Sequence, residues 1–244
     1  MSSFSLKTCV NSICDRLKPR TSVRFHIHNI DDIIAYIKHL LPNLQTNFGS
    51  SLNPLFFVSL ILHRYFVNIE RLIVIDVDIK VKTSLQELES KFDEFSNSAM
   101  IGIANEQQPI YRHLLYKYRS QRNRTEFGNP HPYGLPGLNS GVLLLHLQRM
   151  RDSSVYNSML NPLSIASLAN QYYFHGHLGD QDFYTLLSFN EPTLFYNLNC
   201  TWNRQLCKWW KYHGYFKQFD EYHKCDGKIN LYHGNCNSVI PANV

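Results

Sequence analysis

At 244 residues the chain has room for one generous domain or two small ones, and its 44% hydrophobic content predicts a sizeable buried core. The formal net charge of +5 is spread along the chain apart from one cluster, Arg112, Lys117, Arg119, Arg122 and Arg124, interleaved with Tyr111, Tyr116 and Tyr118. A nucleic-acid footprint and a solvated basic face both look like that, but no nucleic-acid fold signature accompanies the cluster, so nucleic acid is not an expected partner.

In chain order, the first twenty residues hold no apolar core followed by a small-residue cleavage site, so no signal peptide or anchor is expected there, and Leu6 to Leu17 has helical spacing. Val23 to His28 alternates as a strand. Asp31 to Leu41 returns to helical periodicity behind a capping Asn29 or Asp31. The longest apolar run, Pro54 to Phe66, is broken by His63 and Arg64 and is shorter than the roughly 20 residues that span a bilayer, so Leu55 to Phe66 reads as a buried helix. Arg71 to Ile75 (RLIVI) is a short apolar strand of the kind buried in a parallel sheet. A helix near Ser84 to Phe95 and a strand at Met100 to Ala104 follow. An irregular loop at Asn129 to Gly137 (NPHPYGLPG), a strand at Gly141 to Leu147 and helices to about Phe189 complete the series. Alternating helix and strand predicts α/β class with a mostly parallel sheet.

Six cysteines stand at 9, 14, 200, 207, 225 and 236, with no Cys-x-x-Cys pair, so a zinc ribbon or thioredoxin site is not expected. A disulfide-pinned, Trp-rich lobe over 197–244, within one domain covering 1–244, is the leading reading. Connectivity is open from spacing; Cys200 with Cys207 and Cys225 with Cys236, each flanking a short segment, is the expected pairing. Two sequons, Asn123-Arg-Thr125 and Asn199-Cys-Thr201, are compatible with a secretory compartment.

The sharpest chemical feature is Asp76-Val77-Asp78, at the carboxyl end of RLIVI. Ligands of open α/β sheets bind beyond those strand ends, and residues i and i+2 of an extended segment point the same way, roughly 6.5 to 7 Å apart. Two carboxylates so placed suit a hard divalent ion such as Mn²⁺ or Mg²⁺. Asn139 and Ser140, in Gly137-Leu-Asn-Ser-Gly-Val142, would face the same crevice and bond sugar hydroxyls, unless the segment is only a glycine-rich turn. In Leu178-Gly-Asp180-Gln181-Asp182-Phe183, one aspartate caps a helix and the other is free to face a donor. His233, followed by Gly234 and Asn235, could complete the coordination of a cation held by Asp76 and Asp78. Trp202, Trp209 and Trp210 are stacking candidates for a carbohydrate, with core packing as the alternative for the last two.

The combination of a strand ending in D-x-D, N-S-G-V before a second strand, D-Q-D at a helix start and a late His-Gly resembles glycosyltransferase family 8. The likeness covers about Arg71 to Asn237. It implies a GT-A, Rossmann-like α/β fold, here lacking the uridine-holding first strand, with Met1 entering at the following helix. Finer features (IDVDIK, GLPGLNSGVLLL, LGDQDF, NCTWNRQLCKWW, LYHGNCN) look like the members that extend an O-linked xylose–glucose glycan on EGF repeats of Notch-type proteins. The implied donor is UDP-xylose, the linkage α1,3 with retention, and the location the endoplasmic reticulum lumen, with membrane contact only through an N-terminal anchor that this chain does not contain; a family member using UDP-glucose and an inactive carbohydrate-binding protein are the alternatives. The resemblance implies Mn²⁺ held by Asp76, Asp78 and His233, catalysis aided by Asn139, Gln181 and Asp182, and substrate contacts from Asp76, Val77, Asn139, Ser140, Asp180, Gln181, Trp202 and Asn235. Where many members carry a Lys after that His, Asn237 stands here.

Overall fold

In the structure, a computed structural model, residue 24, residues 26–122 and residues 124–242 are described. The chain divides into two compact units, 1–32 and 33–244. The expected helix at Leu6 to Leu17 and the question of a first strand lie outside the described residues. The strand expected at Val23 to His28 is not formed at the described positions 24 and 26–28, which are irregular and exposed. A helix follows at Ile30–Ile37, with Asn29 Oδ1 accepting the Asp31 amide at 3.1 Å, as capping predicts. Pro42 opens a separate helix, Leu41–Phe48, because a proline is tolerated in the first turn and not inside a continuous helix.

The second unit holds two sheets. The larger has the order β1 (Arg71–Ile75), β4 (Leu138–His146), β3 (Ile101–Asn105), β5 (Phe195–Leu198). The smaller has the order β2 (Ile79–Val81), β7 (Leu231–His233), β6 (Arg204–Gln205). The α/β class is as expected, and the larger sheet is mixed. Both partners of β4 run antiparallel to it, and β3 with β5 is the parallel pair. Strand β1, expected to be buried in a parallel sheet, is half-buried and stands at the edge of the described sheet, antiparallel to its neighbour. An apolar run reports that both faces meet apolar groups; it carries no information on the direction of the neighbour.

Strand β4 is buried at every position but Ser140 and anchors the fold. On one side, Val142 and Leu144 join Leu88, Phe92, Phe95, Leu198, Trp202 and Leu231 in one cluster, so the C-terminal lobe shares the core of the main sheet. On the other side packs the helix Asp180–Asn190, in which Gln181 through Leu187 are all buried, as expected of a helix enclosed on every side. Against it lies Pro54–Ile61, expected as α-helix and found as 3₁₀, followed by a short α turn, Leu62–Tyr65. The segment near Ser84 likewise splits into Leu85–Glu89 and a 3₁₀ turn, Ser90–Glu94. Both helix types bury a residue every three or four positions, so apolar spacing does not separate them.

The lobe is pinned by two disulfides, Cys200–Cys225 and Cys207–Cys236. The expected pairing is therefore corrected: each bridge joins distant segments instead of closing a short one. Among the described residues no helix is long and apolar enough to cross a membrane.

Candidate active site and metal centre

The site forms where the two sheets meet. The Asp76 amide donates to the Gly141 carbonyl at 3.0 Å, which continues the β1–β4 ladder past its end. The Gly234 amide donates to the Asp78 carbonyl at 2.8 Å, and Ile79 pairs with His233 across β2 and β7. The D-x-D segment is thus held by one sheet at its first residue and by the other at its last. Asp76, Asp78 and His233 each bring a ligand atom within 4.8 Å of the others, with His233 Nε2 at 3.7 Å from Asp76 Oδ2 and 3.4 Å from Asp78 Oδ1. The carboxylates are exposed and the imidazole is buried. Asp76 is open to solvent on one side, but desolvation by the groups packed around its other side, with Asp78 adding to it, pushes it up to about 6; burial lowers His233, opposed by Asp78. A neutral imidazole beside two oxygen donors is a donor set that fits a hard or borderline divalent cation.

Gly141 makes this meeting possible. A Cβ there would stand 2.2 Å from Cε1 and 2.5 Å from Nδ1 of His233. The register between β3 and β4 also shifts at this point, from Ile103 opposite Leu143 to Ala104 opposite Asn139, so Ser140 to Val142 have no partner on β3. Such a bulge re-aims the strand, and here it turns residues 139–141 toward the site.

Behind the cation ligands lies a polar network. His233 Nδ1 is 3.0 Å from Asn203 Oδ1. Asn203 Nδ2 donates to Asn139 Oδ1 at 2.8 Å, and Asn139 Nδ2 donates to Glu106 Oε2 at 3.0 Å. Gln181 touches Ser140 N, Glu106 Oε2 and Tyr111 Oη, each at 3.3 Å. The Tyr111 hydroxyl donates to Asp182 Oδ1 at 2.9 Å, and the Leu178 amide donates to Asp182 Oδ2 at 2.8 Å. Ser140 and Ser59 hydroxyls both donate to Asp180. Burial pushes Glu106, Asp180 and Asp182 each up to about 7, against hydrogen bonds from Asn139, from Ser59 and Ser140, and from Leu178 and Tyr111 respectively.

Several expectations change in this light. Asp76, Asp78 and His233 come together as expected, with Ser140, Asp180 and Gln181 beside them. Asn139 is buried and both ends of its amide are engaged, so it holds the network instead of reaching a sugar. Asp182 is wholly buried with both oxygens bonded; it orients Tyr111 and ties the loop at Leu178. Trp202 lies in the apolar cluster at 5% exposure, where no sugar can stack on it. Asn235 Oδ1 accepts the amides of Leu206 and Cys207 and fastens the ends of β6 and β7. Val77 is fully exposed, and Trp209, half exposed, stacks on His213. Asn237 is exposed with a positive φ of 57°. The basic cluster wraps its own loop: Arg112 and Arg119 both donate to Asn129 Oδ1, and Arg122 lies over Tyr118.

Sequence reading missed Glu106, Tyr111, Ser59 and Asn203. Glu106 had a signal, since it directly follows the β3 strand as Asp76 follows β1. Asn203 stood inside the motif NCTWNRQLCKWW but nothing local marked its role, because its neighbours in the site are 30 and 64 residues away.

The sequence pattern of Glycosyl transferase family 8 matches residues 3–226. The chain belongs to that family. The matched span includes the D-x-D and D-Q-D segments and stops short of His233, which the structure sets beside Asp76 and Asp78. Human xyloside xylosyltransferase 1 is 47% identical over 208 residues, covering 85% of this chain and 52% of that protein. The mouse protein of the same name is 49% identical over 190 residues, covering 78% and 48%. The chain therefore spans about half the length of the curated relatives it matches. The crystal structure of apo mouse xyloside xylosyltransferase 1 superposes with a TM-score of 0.89 at 41% identity, over 96% of this chain and 82% of that one. A structure of the galactosyltransferase LgtC with donor and acceptor sugar analogues matches at TM-score 0.51 and 17% identity, over 88% and 77%, a likeness of fold alone. The fold is GT-A.

Proposed function

We propose that the chain is a metal-dependent retaining xylosyltransferase. It would take xylose from UDP-xylose and place it in α1,3 linkage on the xylose of an O-linked xylose–glucose glycan on EGF repeats of the Notch type. The observation that carries this reading is the Asp76, Asp78, His233 cluster at the sheet ends, in a chain 47% identical to a protein named for xylosyl transfer. Bound there, Mn²⁺ or Mg²⁺ would act as a Lewis acid that compensates charge on the departing diphosphate. Asp76 and Asp78 would hold it from just past the end of β1, where a backbone hydrogen bond ties each of them to a sheet. Gln181, whose three bonds are long at 3.3 Å, gives up least by turning toward a sugar, and it is the amide best placed to orient one. Ser140 and Asp180 form the adjoining wall. Two disulfides suit an oxidising compartment, and the endoplasmic reticulum lumen is the proposed location.

The test is a donor panel of UDP-xylose, UDP-glucose and UDP-galactose with Mn²⁺ and a xylosyl-glucose acceptor, read by mass spectrometry. Preferential pentose addition supports the reading. Transfer from UDP-glucose alone would reassign the donor, and binding without turnover would make the chain an inactive carbohydrate-binding protein. Asp78→Asn keeps shape and removes charge, so turnover should fall at least about a hundredfold, near 3 kcal/mol of transition-state stabilisation. Near-normal turnover of that variant at saturating Mn²⁺ contradicts the assignment.

A further inference from the structure

A neutral imidazole carries one proton, and the ring nitrogen that carries it cannot ligate a cation. Free histidine in water prefers that proton on Nε2, the atom that His233 turns toward Asp76 and Asp78. A cation site ready for occupation needs the proton on Nδ1 instead. The network behind His233 has a polarity that supplies this, and it can be followed from groups whose donor or acceptor character is not negotiable.

The Gly141 backbone N–H can only donate, and it points at Asn139 Oδ1 at 3.2 Å. The oxygen of the Asn139 side chain therefore faces Gly141 and Asn203, and its NH₂ faces Glu106, where it donates at 3.0 Å. The Asn139 backbone carbonyl can only accept, and Asn203 Nδ2 donates to it at 3.2 Å as well as to Asn139 Oδ1 at 2.8 Å. With its NH₂ committed twice, Asn203 presents Oδ1 to His233, 3.0 Å from Nδ1. An amide oxygen accepts and never donates, so this 3.0 Å hydrogen bond calls for the proton on Nδ1, while the carboxylate oxygens that compete for it at Nε2 stand farther off, at 3.4 and 3.7 Å. Asn203 is wholly buried and Asn139 nearly so, so water does not offer either amide a second arrangement. Each amide is fixed by a backbone group as well as by its neighbour, so the polarity holds whichever charge Glu106 carries.

We propose that Asn203 is a positioning residue: it holds His233 in the Nδ1–H tautomer, so that the Nε2 lone pair faces Asp76 and Asp78 before any cation arrives. The inference rests on reading those three residues as a cation site, but its first readout needs no cation. Outer partners of this kind typically change metal affinity 10- to 100-fold.

The experiment is long-range ¹H–¹⁵N NMR of histidine-labelled, metal-free protein at pH 8, with the His233 signals assigned by comparison with His233→Gln. The expected result is a protonated Nδ1 and a bare Nε2. Asn203→Leu keeps volume and deletes both polar ends; it should release the ring to the Nε2–H form and weaken calorimetric Mn²⁺ binding at least tenfold. Asn203→Asp keeps an acceptor toward Nδ1 and, protonated on the oxygen that faces the two Asn139 oxygens, still donates there, so it should retain the tautomer, with Mn²⁺ binding within a few-fold of the parent. The proposal is overturned by an Nε2–H tautomer in the parent, by an Asn203→Leu protein that keeps both tautomer and affinity, or by equal losses in the two folded variants, which would make Asn203 a packing residue only. Should a variant not fold, as a thermal melt reports, the parent spectrum still decides the tautomer. A parent with the Nδ1–H form that binds no Mn²⁺ or Mg²⁺ would instead sink the cation reading and leave the tautomer assignment standing.

Discussion

Single residues decide whether the site exists. Asp76 and Asp78 were legible in the sequence because an apolar strand ending in two carboxylates with one residue between them is a local pattern. The role of Gly141 was not, since what forbids a side chain there is His233, 92 positions later. Gly141→Ala puts a methyl group into the imidazole, and at least a tenfold loss of Mn²⁺ affinity is expected, with about 1 to 3 kcal/mol of stability lost to overpacking. Calorimetric titration beside a melt checks this; unchanged affinity would mean that the ring can move aside. Asp182 yields a pH prediction. Burial raises its folded pKa to about 7, above the unfolded value near 3.9, so its contribution is fully present below the unfolded pKa and is lost as pH rises through 7. Asp182→Asn deletes the titration along with part of the bonding to Tyr111 and Leu178. The variant should be clearly less stable than the parent at pH 5, and the gap should narrow by pH 8. Denaturant melts at both pH values measure it, and a gap that widens would show that Asp182 stays ionised when folded.

At the scale of elements, the disulfides divide into two roles. Cys236 lies three residues after His233 at the end of β7, and Cys207 two residues after Gln205 at the end of β6, the two strands running parallel. Asn235 fastens the same ends by accepting the Leu206 and Cys207 amides. Cys200–Cys225 instead ties the turn after β5 to the segment after the helix Phe216–His223. Removing either bridge by paired Cys→Ser changes should cost about 2 to 4 kcal/mol. Only loss of Cys207–Cys236 should also weaken Mn²⁺ binding, because only that bridge holds the strand of a cation ligand. Equal metal affinity in the two bridge variants refutes the distinction. Helix and strand positions were largely legible from periodicity: β1, β3 and β4 lie within a few residues of where they were expected, and Gly179 opens the helix that follows it. The pairing of cysteines was not legible, because parallel strands set side by side residues that the sequence holds 29 positions apart.

For the whole molecule, a cation bound to the folded site and not to the unfolded chain stabilises by mass action, about 2.7 kcal/mol at a hundred times Kd. In a chain of this size that corresponds to a rise of roughly 5 to 10 °C in melting temperature. The rise on adding Mn²⁺ should be present at pH 7.5 and shrink at pH 5.5, below the value of about 6 at which Asp76 takes up a proton that competes with the ion. Chelation should reverse it. A shift of equal size at both pH values would place the ion elsewhere. The sequence by itself determined the α/β class, the strand that ends in Asp76 and Asp78, the helix that starts at Asp180, and family membership through motifs whose order survives in one dimension. Only the tertiary structure decided that the main sheet is mixed, that Trp202 and Asp182 are interior groups, that the disulfides cross-link, and that Glu106, Asn139 and Asn203 stand in line behind His233. The physical reason is range. Periodicity, capping and strand-end chemistry act over a few residues, and one-dimensional spacing records them. Strand direction, burial of a particular ring and the polarity of a hydrogen-bond chain depend on groups brought together from as far apart as Asp76 and His233, where sheet packing alone sets the distance.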